Sequence, residues 1–175
     1  MKCTHDSIEF DSLSEAMVYC WLREAPVTFV HQSQFPLTEK VTHLVAKEGK
    51  KKPVERTLLQ ASHYTADFVV YSEEAINGLV AADAGIFLPS FMSTYCYVID
   101  VKGFRAPVSQ VAKFSLTQKF MYHIHRIYVN KVVPELFFST NGWPKRLPKE
   151  CYMVDGKTLK QPWRRAYEAN QTRTD

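Results

Sequence analysis

Two aspartates stand where a globular chain ordinarily places apolar side chains. Asp67 interrupts the run Tyr-Thr-Ala-Asp-Phe-Val-Val-Tyr at residues 64–71, and Asp100 lies near the end of Tyr-Cys-Tyr-Val-Ile-Asp-Val-Lys at residues 95–102. Both runs are rich in aromatic and β-branched residues, so both are predicted strands. Side chains two apart on a strand share a face, so Asp100 and Lys102 project together while Val101 points away. A charge set into an otherwise buried strand is costly unless it is paired or coordinated. A strand-end ion pair is one explanation. The other is a site where carboxylates hold a cation and an ammonium acts on water beside it. Two carboxylates offer hard oxygen ligands, which suit Mg²⁺ or Mn²⁺.

The elements that must position these residues are legible to different degrees. Residues 11–24 are predicted to be a helix, because Ser12-Leu-Ser-Glu15 is a capping box and Leu13, Ala16, Met17, Cys20 and Trp21 recur at helical spacing. In that reading Glu15 is a helix cap. Short strands are expected at 27–30 and 41–46, then an exposed tip at 47–53 with the sequence Lys-Glu-Gly-Lys-Lys-Lys-Pro. Solvation is the usual meaning of such lysines, and contact with a phosphate backbone is the alternative. The near-continuous apolar run before Asp100 predicts a central strand covered on both faces. Residues 72–94 read as an insertion. A second helix is expected over 109–129, with Leu116, Phe120, Ile124 and Ile127 as its apolar stripe and Lys113, Gln118 and Lys119 lying off it. Residues 131–139 are expected to form a further strand, made irregular by Pro134. The order predicts an α/β fold, a mixed central β-sheet flanked by helices. It divides into a core domain at 1–140 and a basic extension at 141–175, packed on or next to the core.

Taken in order, Phe10-Asp-Ser-Leu-Ser-Glu15-Ala, Tyr64-Thr-Ala-Asp67-Phe and Ile99-Asp100-Val-Lys102-Gly103 resemble the PD-(D/E)XK nuclease superfamily. Within it they are similar to small phage nucleases of the endonuclease I type, which resolve Holliday junctions. The likeness spans roughly residues 8–130, with Ala66 where the superfamily's name has proline. It implies a restriction-endonuclease-like core and a metal-dependent endonuclease acting on DNA, branched DNA in particular, in phage recombination or processing. It implies that Asp67, Asp100, Glu15 and the backbone carbonyl of Val101 hold Mg²⁺ or Mn²⁺, and that Asp67, Asp100, Lys102 and Glu15 form the catalytic set. It also implies a homodimer, since cutting a junction takes two active sites. Some members set a Gln-x-x-x-Tyr pair beside the site, which Gln118 and Tyr122 match; polar decoration of a helix is the plainer reading.

Composition limits the alternatives. Of 175 residues, 46% are apolar and 23% charged, which suits one ordered globular domain. The net charge of +4 permits a nucleic-acid partner without requiring one. Residues 139–175 hold eight Lys or Arg against four Asp or Glu. Of these, Lys145, Arg146, Arg164 and Arg165, with Lys113, Gln118 and Lys119, are the candidate nucleic-acid contacts. Trp143 and Trp163 there could stack on bases or pack the extension onto the core. Cys3, Cys20, Cys96 and Cys151 have no zinc-finger spacing and are expected to be reduced thiols in a cytoplasmic protein. No nucleotide-binding loop or serine-hydrolase elbow is present. His123 and His125, two apart on a helix, do not share a face. The first residues lack an apolar h-region and no run reaches a membrane-spanning length, so neither a signal peptide nor a membrane partner is expected. Two readings stay beside the junction-cutting enzyme: a non-cleaving module that binds nucleic acid or protein on a nuclease fold, and a nuclease subunit of a larger recombination or transposition assembly.

Overall fold

The chain enters its fold through a tight hairpin. β1 (Cys3–His5) and β2 (Ile8–Phe10) pair antiparallel across Asp6 and Ser7, whose φ values of 49° and 63° are the left-handed pair a two-residue turn needs. The computed structural model describes residues 2–46, 52–71, 96–103 and 107–152, and from the C-terminal stretch residues 156, 159, 160, 163, 164 and 168. The expected insertion at 72–94, most of the lysine-rich tip and Arg165 lie outside the described residues.

α1 (Leu13–Glu24) begins where the capping box places it. Ser12 has extended backbone, and its hydroxyl accepts the Glu15 amide N–H at 3.1 Å. Its buried face carries Ala16, Met17, Cys20 and Leu22 into the core. β3 (Thr28–Thr38) follows, then β4 (Val41–Val45), β5 (Val54–Leu59), β6 (Ser62–Tyr71), β7 (Cys96–Val101), α2 (Val108–His125), β8 (Val129–Val132), α3 (Pro134–Asn141) and a 3-10 turn at Lys149–Cys151. The central sheet has the order β3-β6-β7-β8. Its first two pairings are antiparallel and β7 with β8 is parallel, so the sheet is mixed. Every residue of β7 is buried, as its apolar run requires of a central strand.

The two faces of β7 open onto two cores. Tyr97, Ile99 and Val101 join α1, Phe137, Phe138 and Trp163. Cys96 and Val98 join Phe114 and Met121 of α2 with Val129. Asp100, on the parity of Cys96 and Val98, therefore faces α2. No described helix is long and apolar enough to cross a membrane.

Four expectations need correction. The strand expected at 27–30 runs on to Thr38, because Thr28–Thr38 alternates exposed and half-buried residues despite its polar content. Pro36 is tolerated there because β3 is an edge strand. β5 was not expected, and its residues are all exposed. The strand expected at 131–139 divides: β8 ends at Val132, and Pro134 takes the first turn of a helix, where its missing N–H costs nothing. The stripe on α2 is also misplaced. Leu116, Phe120 and Ile124 are exposed and only Ile127, just past the helix end, is buried as expected, whereas Phe114 and Met121 are buried, with Thr117, Gln118 and His125 half-buried between and beyond them. The inward face of this helix is part polar, so hydrophobicity alone selects the wrong side. α2 ends at Arg126, whose φ of 59° closes a left-handed cap.

One irregularity concerns the chemistry. The β3–β6 ladder passes from His31↔Phe68 to Ser33↔Ala66, skipping Gln32 and Asp67, and Gln32 has φ 56° within a strand. On one side of this point, Phe29 and Phe68 pack toward α1. On the other, Phe35, Tyr64 and Ala66 pack toward α2. Both strands turn over together, so the sheet face changes beside Asp67. Irregularities of this kind re-aim side chains at the cost of local order.

Candidate active site

A cavity of about 570 Å³ opens between the α2 face of the sheet and α2 itself, lined by Leu37, His63, Tyr64, Thr65, Asp67, Asp100, Lys102, Gln110, Lys113, Phe114 and Thr117. β6 supplies Asp67, β7 supplies Asp100, and Lys102 follows directly on β7. The three residues singled out by their positions in apolar strands thus meet in one cavity.

Their hydrogen bonding is specific. Asp67 Oδ2 accepts the backbone N–H of Val101 at 2.6 Å. Asp100 Oδ1 accepts the Tyr64 hydroxyl at 3.1 Å. Asp100 Oδ2 forms an ion pair with Lys102 Nζ. This oxygen is buried and has no hydrogen bond beyond that pair. The ammonium of Lys102 also lies 5.7 Å from the centre of the Phe114 ring, a cation–π distance. The side chain of Val101 points into the α1-side core, as strand alternation requires.

Both carboxyl groups are held above their usual range. For Asp67 burial is the main cause, followed by the charges of Asp100 and Glu15; the Val101 N–H and Lys102 oppose the shift. For Asp100 burial again dominates, opposed by Lys102, the Tyr64 hydrogen bond and Lys131. Asp67, desolvated and beside the charges of Asp100 and Glu15, has more negative than positive charge around it, and a divalent cation would redress that. The residues fit such an ion. Mg²⁺ is commonly held by one or two carboxylates, with water and substrate phosphate completing its shell. Asp100 Oδ2, whose partner is Lys102, is the oxygen that would exchange its ion pair for the metal ion. Among the described residues no group of three or more His, Cys, Asp or Glu is placed to hold a metal.

Glu15 does not line the cavity. It is buried, with Oε1 2.7 Å from His31 Nε2 and Oε2 accepting the Asp11 backbone N–H at 3.1 Å. Both oxygens are occupied in the packing of α1 against β3. Its charge still reaches Asp67. A capping role accounts for the Asp11 contact, and His31 adds a tie to β3; ligation would require Glu15 to give up one of them.

The candidate nucleic-acid contacts separate into groups. Lys113 lines the cavity. Gln118 donates to the Val129 carbonyl at 2.8 Å, so its side chain fastens α2 to β8. Gln118, Lys119 and Tyr122 line a separate groove with Phe120, Arg126 and Tyr128. The backbone N–H groups of Lys145 and Arg146 donate to the Glu24 carboxylate at 2.8 and 2.9 Å, at the far end of α1. Arg164 pairs with Glu168 one helical turn on, at 2.8 Å. Trp163 is buried in the α1-side core and Trp143 tilts against Phe138 at 5.1 Å, so both tryptophans pack.

The other residues that line the cavity had no signal in the sequence reading. Tyr64, Gln110 and Thr117 carry ordinary strand and helix side chains. For Tyr64, strict alternation even predicts the wrong face, since it stands three residues from Asp67. Comparison with protein-family models, with curated proteins and with solved structures found no match to the chain.

Proposed function

We propose that the protein is a divalent-metal-dependent endonuclease that hydrolyses DNA phosphodiesters. The observation that carries this reading is the convergence of Asp67, Asp100 and Lys102, from two neighbouring strands, in one cavity. Asp67 and Asp100 would hold Mg²⁺ or Mn²⁺, with the Val101 carbonyl as a further oxygen ligand. When bound, the ion acidifies water and polarises the phosphodiester. Lys102 orients the attacking water and offsets charge that builds on the phosphate. Lys113, on the α2 wall, meets a neighbouring phosphate. The likeness to junction resolvases extends the proposal to branched DNA, a homodimer and a phage setting in the host cytoplasm.

The test is cleavage of labelled four-way junction, duplex and single-stranded DNA with Mg²⁺ or Mn²⁺, beside Lys102→Ala and an EDTA control. Metal-dependent cutting by the wild type, reduced at least about 100-fold in the variant, is the expected result, in line with the loss of a group that stabilises transition-state charge. Cutting that survives both EDTA and the variant would remove the mechanism.

The Lys102–Asp100 ion pair favours a second reading, a non-cleaving module in which the acid is neutralised within the protein. That reading expects tight DNA binding with no cleavage under any metal.

A further inference from the structure

We infer that Tyr64 is a positioning residue for Asp100, holding one carboxylate oxygen so that the other is presented to a divalent cation. The inference rests on the metal-dependent reading above and adds a residue to it. Three observations carry it.

The first is the turning-over of β3 and β6. Tyr64 stands three residues before Asp67, so a regular strand would put the two on opposite sheet faces. The half-turn at Gln32 and Asp67 brings Tyr64 into the same cavity as both acids. A left-handed non-glycine residue within a strand, as Gln32 is, is strained, and such strain concentrates at functional sites.

The second is the division of labour at Asp100. The phenol takes Oδ1 at 3.1 Å, and the Lys102 ammonium pairs with Oδ2. With Oδ1 tethered, the carboxylate cannot rotate to give Lys102 both oxygens. Oδ2 is therefore the atom left to exchange its ion pair for a metal ion.

The third is the rigidity of the donor. The Tyr64 ring stacks on Phe35 at 6.4 Å with planes 23° apart, and both rings pack against the α2-side core. Phenylalanine would serve that packing equally well. The hydroxyl is explained by its partner.

Mn²⁺ binding tests this directly. Titration calorimetry on the full chain would compare wild type, Tyr64→Phe, Phe35→Leu and Asp100→Asn, with a thermal melt of each. Tyr64→Phe is expected to bind Mn²⁺ about 10-fold more weakly, the low end of what losing a hydrogen bond to a metal ligand does, with its melting temperature close to wild type. Its cleavage activity should recover as Mn²⁺ is raised. Phe35→Leu keeps the hydroxyl and loosens the ring, so it should melt lower yet bind Mn²⁺ within about 3-fold of wild type; this small change reflects a contact remote from the ion. Wild-type affinity in Tyr64→Phe would overturn the inference. So would an equal loss in both variants, which would mean that packing alone matters. A wild type that binds no Mn²⁺ would instead sink the metal-dependent reading and this inference with it, a result that the variants alone could not produce.

Discussion

At Asp67 a buried carboxyl opposes the stability of its own fold. Its carboxyl is pushed up chiefly by burial, then by Asp100 and Glu15. A carboxyl whose folded pKa lies above its unfolded value near 4 binds more protons folded than unfolded. Stability is therefore lost as pH rises from the unfolded value through the folded one, and is fully retained only below both. Asp67→Asn removes this cost, because an amide oxygen can still accept the Val101 N–H. The metal-free variant should melt higher than wild type at neutral pH, with the difference shrinking toward pH 4, at roughly 2–4 °C per kcal/mol for a chain this size. A melt series from pH 4 to 8 in EDTA checks it; an unchanged or lower melting temperature at neutral pH would show that Asp67 is not short of positive charge. Cleavage should be lost in the same variant. At this scale the sequence was informative wherever a charge broke an apolar run, as at Asp67, Asp100 and Lys102. It was silent on Tyr64 and Gln110, whose residue types are ordinary for a strand and a helix. Glu15 was legible twice over, and the contacts to Asp11 and His31 explain why a cap and a ligand look alike in sequence.

Among the elements, signals with one local cause were the ones that could be read. The Ser12 cap is such a case: Ser12→Ala should lower stability by about 1 kcal/mol, measured by urea unfolding, since a single side-chain acceptor satisfies the Glu15 N–H. β7 was legible because being covered on both sides leaves a continuous apolar run. α2 was read as a helix but turned the wrong way, because its inward face includes Thr117 and Gln118, one lining the cavity and the other bonded to β8. Polar side chains on the inward face dilute the pattern from which the buried side is read. β3 shows the same effect, since its half-turn at Gln32 leaves no mark in residue type. Glycine is the residue that adopts φ 56° without strain. Gln32→Gly should therefore keep stability within about 1 kcal/mol of wild type or raise it, whereas Gln32→Val should lower it by about 1–3 kcal/mol. Urea midpoints of the pair decide the matter. Equal loss in both would mean that the Gln32 side chain, not its backbone, holds the turn-over.

For the whole molecule, the mixed α/β sheet was legible because it follows from the order of elements and needs no exact boundary. The attachment of the C-terminal stretch was legible in part, since Trp143 and Trp163 offered to pack it onto the core. Cys151 and Trp163 are buried against α1, and nothing local in a basic, proline-broken sequence says which element that contact reaches. Trp163→Ala should cost about 3–5 kcal/mol if that contact is part of the same cooperative core. A cost under 1 kcal/mol would mark the tail as an appendage. The fate of the four cysteines is a further property of the whole molecule. All are unpaired and buried, and burial pushes the Cys20 and Cys151 thiols up to about 12. A thiol reagent works through the thiolate, so the folded protein offers it almost nothing to attack. The native chain is thus a blank background for labelling. A single cysteine placed at an exposed position such as Leu44 would carry a dye or spin label alone, and slow reaction of the native four would time the opening of the core without any probe being attached.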